Sequence, residues 1–436
     1  MPTELEKNQK MKKVLILALV SVCMALCGCS RQGEDEADGR VVVRFWHAMG
    51  GPLGDILDEM IDEFNAAHPA WHIKSESMGT YNSLSQKILA SIIARNQPTM
   101  AQAYESWISR LIEAEKGSAI ADMTDMDGGR SMITSGDIYN VLIADSTYGG
   151  RLMSLPFNKS VPVIYYNKEL FRDAGLDPEK PPSTWEEFME GSKKLTVDLD
   201  GDGKVDRWGH MFSDQATYFA CLLGQNGGRL LSPGGDRVLF NSPEGVEALT
   251  YLVDLVHKHK GADFYLGGYQ HQVDWMGGKV GMILASCVSK TFMRDQIKFD
   301  WGIAPLPSGR KKSVLIYGTN IVIFSAAPPD KQRVAWEFIR WFTDTEQTAR
   351  WSMETNYMPV RKSALATGKM VGHFKEDKDA LVSVKELEYT FFEPRLPNWL
   401  ECRRFLGDAV KDALLRKRSP EEALDRAAAR CDRLLK

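Results

Sequence analysis

Catalytic signatures are what this chain most plainly lacks. It holds eight histidines in 436 residues, none in an H-E-x-x-H zinc spacing. It has neither a G-x-S-x-G elbow nor a G-x-x-x-x-G-K-[ST] phosphate loop. Gly50, Gly51 and Gly54 in HAMGGPLGD follow a strand pattern but miss G-x-G-x-x-G, so they read as a helix-start turn. A charge excess is lacking too. The net charge of −4 gives no general attraction to nucleic acid or anionic membrane, so any anion site must be local. C-x-x-C pairs are absent, and no catalytic cofactor is implied. What remains is ordinary globular composition, 44% hydrophobic and 26% charged, long enough for one large or two ordinary domains.

Long apolar runs are missing except at the start. MKKVLILALVSVCMALCGCS has two lysines and an apolar stretch from Val14 to Cys27, too short for a comfortable membrane span. Its end, Leu26-Cys27-Gly28-Cys29, resembles the bacterial lipobox, which implies lipidation of Cys29 and a signal peptide over residues 1–29. Residues 30–40 then read as a polar tether. The expectation is an exported protein anchored by lipid at a membrane face, in the periplasm or at the cell surface. Cys221, Cys287, Cys402 and Cys431 lie beyond the leader. Export permits disulfides among them, and Cys402 could meet Cys431. Small buried thiols are the favoured alternative.

Strand and helix patterns alternate through the rest. VVVRF is a strand; Leu53, Ile56, Leu57, Met60, Ile61 and Phe64 then recur at helical spacing, and WHIKSESM returns as a strand. Thr184 with Glu187 reads as a capping box, and Pro243 opens a second helix. This alternation means sheet with helices on its faces, in two α/β units without a Pro- or Ser-rich linker.

DLDGDGKVDRWG, from Asp198 to Gly209, has EF-hand spacing. Asp198, Asp200, Asp202 and Asp206 would supply carboxylates, Lys204 a carbonyl, and Gly203 the turn. Gly209 stands where a sensor needs a bidentate Glu, so the expectation is a structural Ca²⁺ rather than a switch; a solvated acidic turn is the alternative.

SLPFNKSVPVIYYNKELFRDAGLDPEKPPSTWEEF resembles the extracellular solute-binding proteins of bacterial ABC importers, in the branch of maltose and glycerol-3-phosphate binders. FWHAMGG, KGADFYLGG, VLIYGTNIVIFS and RLPNWLECR fit it too, and the likeness is strongest to the sn-glycerol-3-phosphate-binding subfamily. The resemblance implies a two-lobed α/β periplasmic-binding-protein fold, maltose-binding-protein-like and of class II, with a cleft and three crossovers near Asn158, Phe299 and Glu346. The first lobe would hold residues 41–157 and 301–345, the second residues 158–300 and 346–436. It also implies a monomer that delivers its ligand to ABC permease subunits, with no nucleic acid partner.

By the same resemblance, Tyr81, Glu105, Ser160, Ser286, Gly318, Tyr357 and Arg403 fall on the positions that hold glycerol phosphate. Their chemistry is apt: Arg403 offers a planar donor fork for phosphate, the hydroxyls are neutral donors, and Glu105 would accept from polyol hydroxyls at the far end. Gly318 would let backbone come close to the ligand. A neutral sugar would favour flat aromatic platforms, for which Trp46 and Trp185 are candidates. A Trp-rich loop of the subfamily is replaced here by the aspartate loop and GHMFSDQATYF. The rival readings are a sugar or oligosaccharide binder and, from another class, an extracellular phosphodiester hydrolase.

Overall fold

A computed structural model describes residues 39–114, 117–213 and 215–435. The leader, Cys29 and all but the end of the tether lie outside the described residues.

Two five-stranded sheets organise the chain. In the first, Val41–His47 lies between Trp71–Ser77 and Met100–Ala103, all parallel. Tyr317–Ile323 follows antiparallel, then Leu155–Ser160 at the edge. The second sheet runs Trp301–Ala304, Pro162–Asn167, Val280–Ser286, Trp208–Phe212, Ala262–Phe264. Helices cover both. Pro52–Ala67 buries Leu53, Leu57, Met60, Ile61 and Phe64, the stripe its spacing predicts, against the first sheet. Thr184 caps the helix Trp185–Leu195 by accepting from Glu187 N at 3.2 Å, but the Glu187 carboxylate reaches back to Ser183 rather than to Thr184.

The expected boundaries shift. The chain passes from the first sheet to the second between Ser160 and Pro162, close to the expected Asn158. Strand Trp301–Ala304 pairs with Pro162–Asn167, so the second crossover comes after Ala304 and not at Phe299. The helix Thr345–Thr355 does not open the second lobe. Arg350 ties it to Glu59 and Glu63 on the first lobe, and Arg361 and Ser363 still bind Asp137. Strand pairing and ion pairs between distant segments decide these boundaries, and local periodicity does not register them.

The last two helices, Trp399–Leu414 and Pro420–Leu434, pack on the second lobe. Ser419 and Glu422 form a capping box at the start of the last one. Cys402 and Cys431 meet between them as thiols, and Cys221 and Cys287 are also buried thiols in no disulfide. No helix among the described residues is long and apolar enough to cross a membrane.

Candidate functional site

The strand Leu155–Ser160 supplies the centre. Asn158 is fully buried, and its amide donates to the phenol oxygens of Tyr81 and Tyr357, each at 3.0 Å. Its carbonyl oxygen accepts from Thr319 N at 2.9 Å, so neither end of the amide can turn away. Tyr81 opens the helix Tyr81–Ile93, which Thr80 caps by accepting from Ser83 N. The Tyr357 ring stacks on Trp351 at 5.7 Å. Tyr104, between strand and helix, packs its ring 5.1 Å from that of Tyr81. Burial pushes the phenols of Tyr81, Tyr104 and Tyr357 up, so all three stay protonated donors at neutral pH.

Gly318 sits beside Asn158 with φ +121°, and a Cβ there would lie 1.9 Å from the Asn158 backbone carbonyl oxygen. Its own strand neighbour therefore demands the glycine on packing grounds. Ser160 is buried and pairs in register with Tyr317.

Glu105 lies next to this cluster but is already partnered. Lys159 Nζ is 2.8 Å from Glu105 Oε1 and 3.2 Å from Asp145 Oδ2, and the Phe392 ring covers it at 4.9 Å. One buried ammonium serves two carboxylates. Burial pushes Glu105 up to about 7; Lys159 pulls it down, and Asp145 adds to the rise. The expected lone acceptor is thus one member of a buried charge triad.

From the second lobe comes Arg403, on the helix Trp399–Leu414. Its Nε lies 2.7 Å from Glu393 Oε1, and its Nη2 donates to Thr217 Oγ1 at 2.9 Å. The guanidinium is close enough to Tyr104 to oppose the upward push on that phenol. Ser286 ends the strand Val280–Ser286, and its hydroxyl accepts from Val288 N. It neighbours Cys287, whose thiol donates to the Asn356 carbonyl, one residue before Tyr357.

Tyr81, Tyr357, Ser160 and Gly318 therefore gather at Asn158, with Glu105 held beside them by Lys159; Arg403 comes near Tyr104 from the second lobe, and Ser286 ends a strand of the second sheet. The two tryptophans do not join. Trp46 gives its indole N–H to Glu76 at 2.5 Å and is 8% exposed. Trp185 stacks on Tyr251 at 4.6 Å and donates to Gln225. Sequence reasoning missed Tyr104, Asn158, Lys159 and Glu393. A lysine inside the apolar run SLPFNKSVPVIYY was a usable signal, because a buried ammonium requires carboxylates.

A serine–histidine pair exists elsewhere and is inert. His47 Nε2 lies 2.8 Å from Ser75 Oγ, while His47 Nδ1 accepts from Met49 N. The ring proton therefore sits on Nε2 and points at the serine, so this imidazole cannot take the serine's proton. Burial also lowers its basicity.

In the aspartate loop, carboxylate oxygens of Asp198, Asp200 and Asp206 lie within 4.8 Å of one another. Asp202 departs from the expected set, with its carboxylate 3.0 Å from Lys204 Nζ. Asp198 accepts from Gly201 N and Gly203 N, which fixes the turn.

Residues 59–380 match the family model described as bacterial extracellular solute-binding protein. The sn-glycerol-3-phosphate-binding periplasmic protein UgpB of Yersinia pestis is 28% identical, over 96% of this chain and 97% of its own. Among solved structures, the cyclic alpha-maltosyl-1,6-maltose binding protein of Arthrobacter globiformis is 25% identical, with a TM-score of 0.78 over 91% of this chain and 100% of its own. UgpB of Mycobacterium tuberculosis, in complex with glycerophosphocholine, is 22% identical, with a TM-score of 0.79 over 91% of this chain and 98% of its own.

Proposed function

The chain belongs to the bacterial extracellular solute-binding proteins, and on that premise we propose that it captures sn-glycerol-3-phosphate or a glycerophosphodiester between its lobes. Proteins of this family bind small molecules for delivery to ABC permeases and are not catalysts. The observation that carries the ligand reading is the opposition of Arg403 on one lobe to the buried phenols of Tyr81, Tyr104 and Tyr357 on the other. A guanidinium fork suits a phosphate, and neutral donors complete an oxyanion's coordination without the cost of a second charge. Closure of the lobes would bury the ligand and create the form that docks. The full-length likeness to the Yersinia protein supports the same ligand.

A neutral sugar is the second reading. It is favoured by the pairing of Arg403 with Glu393, which reduces the positive charge offered to an anion, and by the Arthrobacter relative. Thermal melting with glycerol-3-phosphate, glycerophosphocholine, maltose and trehalose separates the two. A ligand at about 100 times its Kd adds about 2.7 kcal/mol of stability. Stabilisation by the phosphates alone supports the phosphate reading; stabilisation by maltose or trehalose alone transfers it to sugars.

We further propose that Asp198, Asp200 and Asp206 hold one Ca²⁺ as a staple away from the ligand. Three carboxylates this close repel one another unless a cation lies among them. Millimolar Ca²⁺ should raise the melting temperature, Asp200→Asn should abolish the rise, and Asp202→Asn should retain most of it. A large change in ligand affinity on chelation would show instead that the loop helps to shape the cleft.

A further inference from the structure

Among the described residues, Lys159 is paired with Glu105 and Asp145, Arg395 donates to the Asp145 backbone carbonyl, and Arg403 is paired with Glu393. Of these carboxylates, Glu393 acts on the phosphate end, and it is held there. Its Oε1 lies 2.7 Å from Arg403 Nε, and its Oε2 accepts the indole N–H of buried Trp399 at 2.9 Å. With both oxygens engaged, the carboxylate does not swing aside when another anion reaches Arg403. That anion shares the guanidinium with a fixed negative charge.

Repulsion from Glu393 and attraction to Arg403 both scale with the charge of the ligand, so beside this pair a second ligand charge gains little while its desolvation still costs more. A phosphomonoester is close to a dianion at pH 7, with its second ionisation near pH 6, about as for a phosphoserine. A phosphodiester carries one charge throughout. We propose that Glu393 is a positioning residue that sets ligand selectivity, making the site prefer monoanionic glycerophosphodiesters over dianionic glycerol-3-phosphate. The inference rests on the reading that Arg403 meets the ligand phosphate. Around Arg403 and Glu393 stand Tyr104 from the first lobe, Thr217 from the helix Gln215–Gln225, and, beyond Phe392, the Lys159–Glu105–Asp145 triad.

The test is calorimetry on the full protein and on Glu393→Gln, with glycerol-3-phosphate and glycerophosphoglycerol, from pH 5.5 to 8. The second ligand avoids a cationic substituent that would itself be drawn to the carboxylate. The wild type should prefer the diester at pH 8 and gain affinity for glycerol-3-phosphate as the pH falls through about 6. Glu393→Gln should shift the ratio toward glycerol-3-phosphate by roughly tenfold and flatten that pH dependence. Glu105 titrates in both proteins, so the difference between the profiles isolates Glu393. Glu393→Asp, which keeps the charge, should restore the wild-type ratio. An unchanged ratio in Glu393→Gln, or equal loss of both ligands with a lowered melting temperature, would overturn the proposal and leave the phosphate reading standing. Failure of the wild type to bind either phosphate would overturn both.

Discussion

Lys159→Met is expected to lose roughly 3–5 kcal/mol of folding stability at pH 8, and markedly less at pH 5.5. The side chain is fully buried between Glu105 and Asp145, so methionine keeps the volume but strands two carboxylates without their cation. The pH dependence follows from Glu105. Its folded value, about 7, lies above the ordinary 4.5, so the folded state holds the proton more tightly than the unfolded chain. The stability this group contributes is full below about 4.5 and is lost as the pH rises through about 7. Removing the ammonium, which pulls Glu105 down, moves that loss to higher pH and lets acid relieve the defect. Urea unfolding at the two pH values measures it. A small loss, equal at both, would mean that the triad is not a connected unit.

The second large effect is on binding. Arg403→Ala should weaken a glycerophosphodiester by about 2–5 kcal/mol, thirtyfold or more, because truncating one side of a desolvated charge pair also leaves the other unpaired. The Arg403 side chain is 34% exposed and part of no core cluster, so the melting temperature should change far less than the affinity. Calorimetry of wild type and variant provides the check. Unchanged affinity would remove Arg403 from the ligand's surroundings, and a collapse in stability would show it to be a structural ion-pair residue.

Much of the architecture was legible because it is local. The stripe Leu53–Phe64 and the β-branched run at Val41 announce their elements by period alone. The family resemblance then brought Tyr81, Tyr357 and Arg403 into one set, although helix periodicity alone would leave Arg403 on a surface. Long-range partners stayed hidden. WGIA at Trp301 is an apolar strand that suits either sheet, and only its pairing with Pro162–Asn167 assigns it to the second. Trp46 and Trp185 looked like platforms because an indole far from any known neighbour always does; Glu76 and Tyr251 occupy them. Glu393 precedes Arg403 by ten residues, across a turn whose geometry no local pattern encodes. The charge balance of the site, which bears most on the choice of ligand, was therefore the part least visible beforehand.

The most direct test of the central claim is a crystal structure of the wild-type protein with a bound glycerophosphodiester. The account predicts lobes closed on the ligand, a phosphate oxygen within hydrogen-bond distance of the Arg403 guanidinium with tyrosine hydroxyls completing its coordination, and the glycerol hydroxyls toward the Glu105 side of the cluster. A phosphate bound away from Arg403, or a cleft that fills only with a neutral sugar, would contradict it.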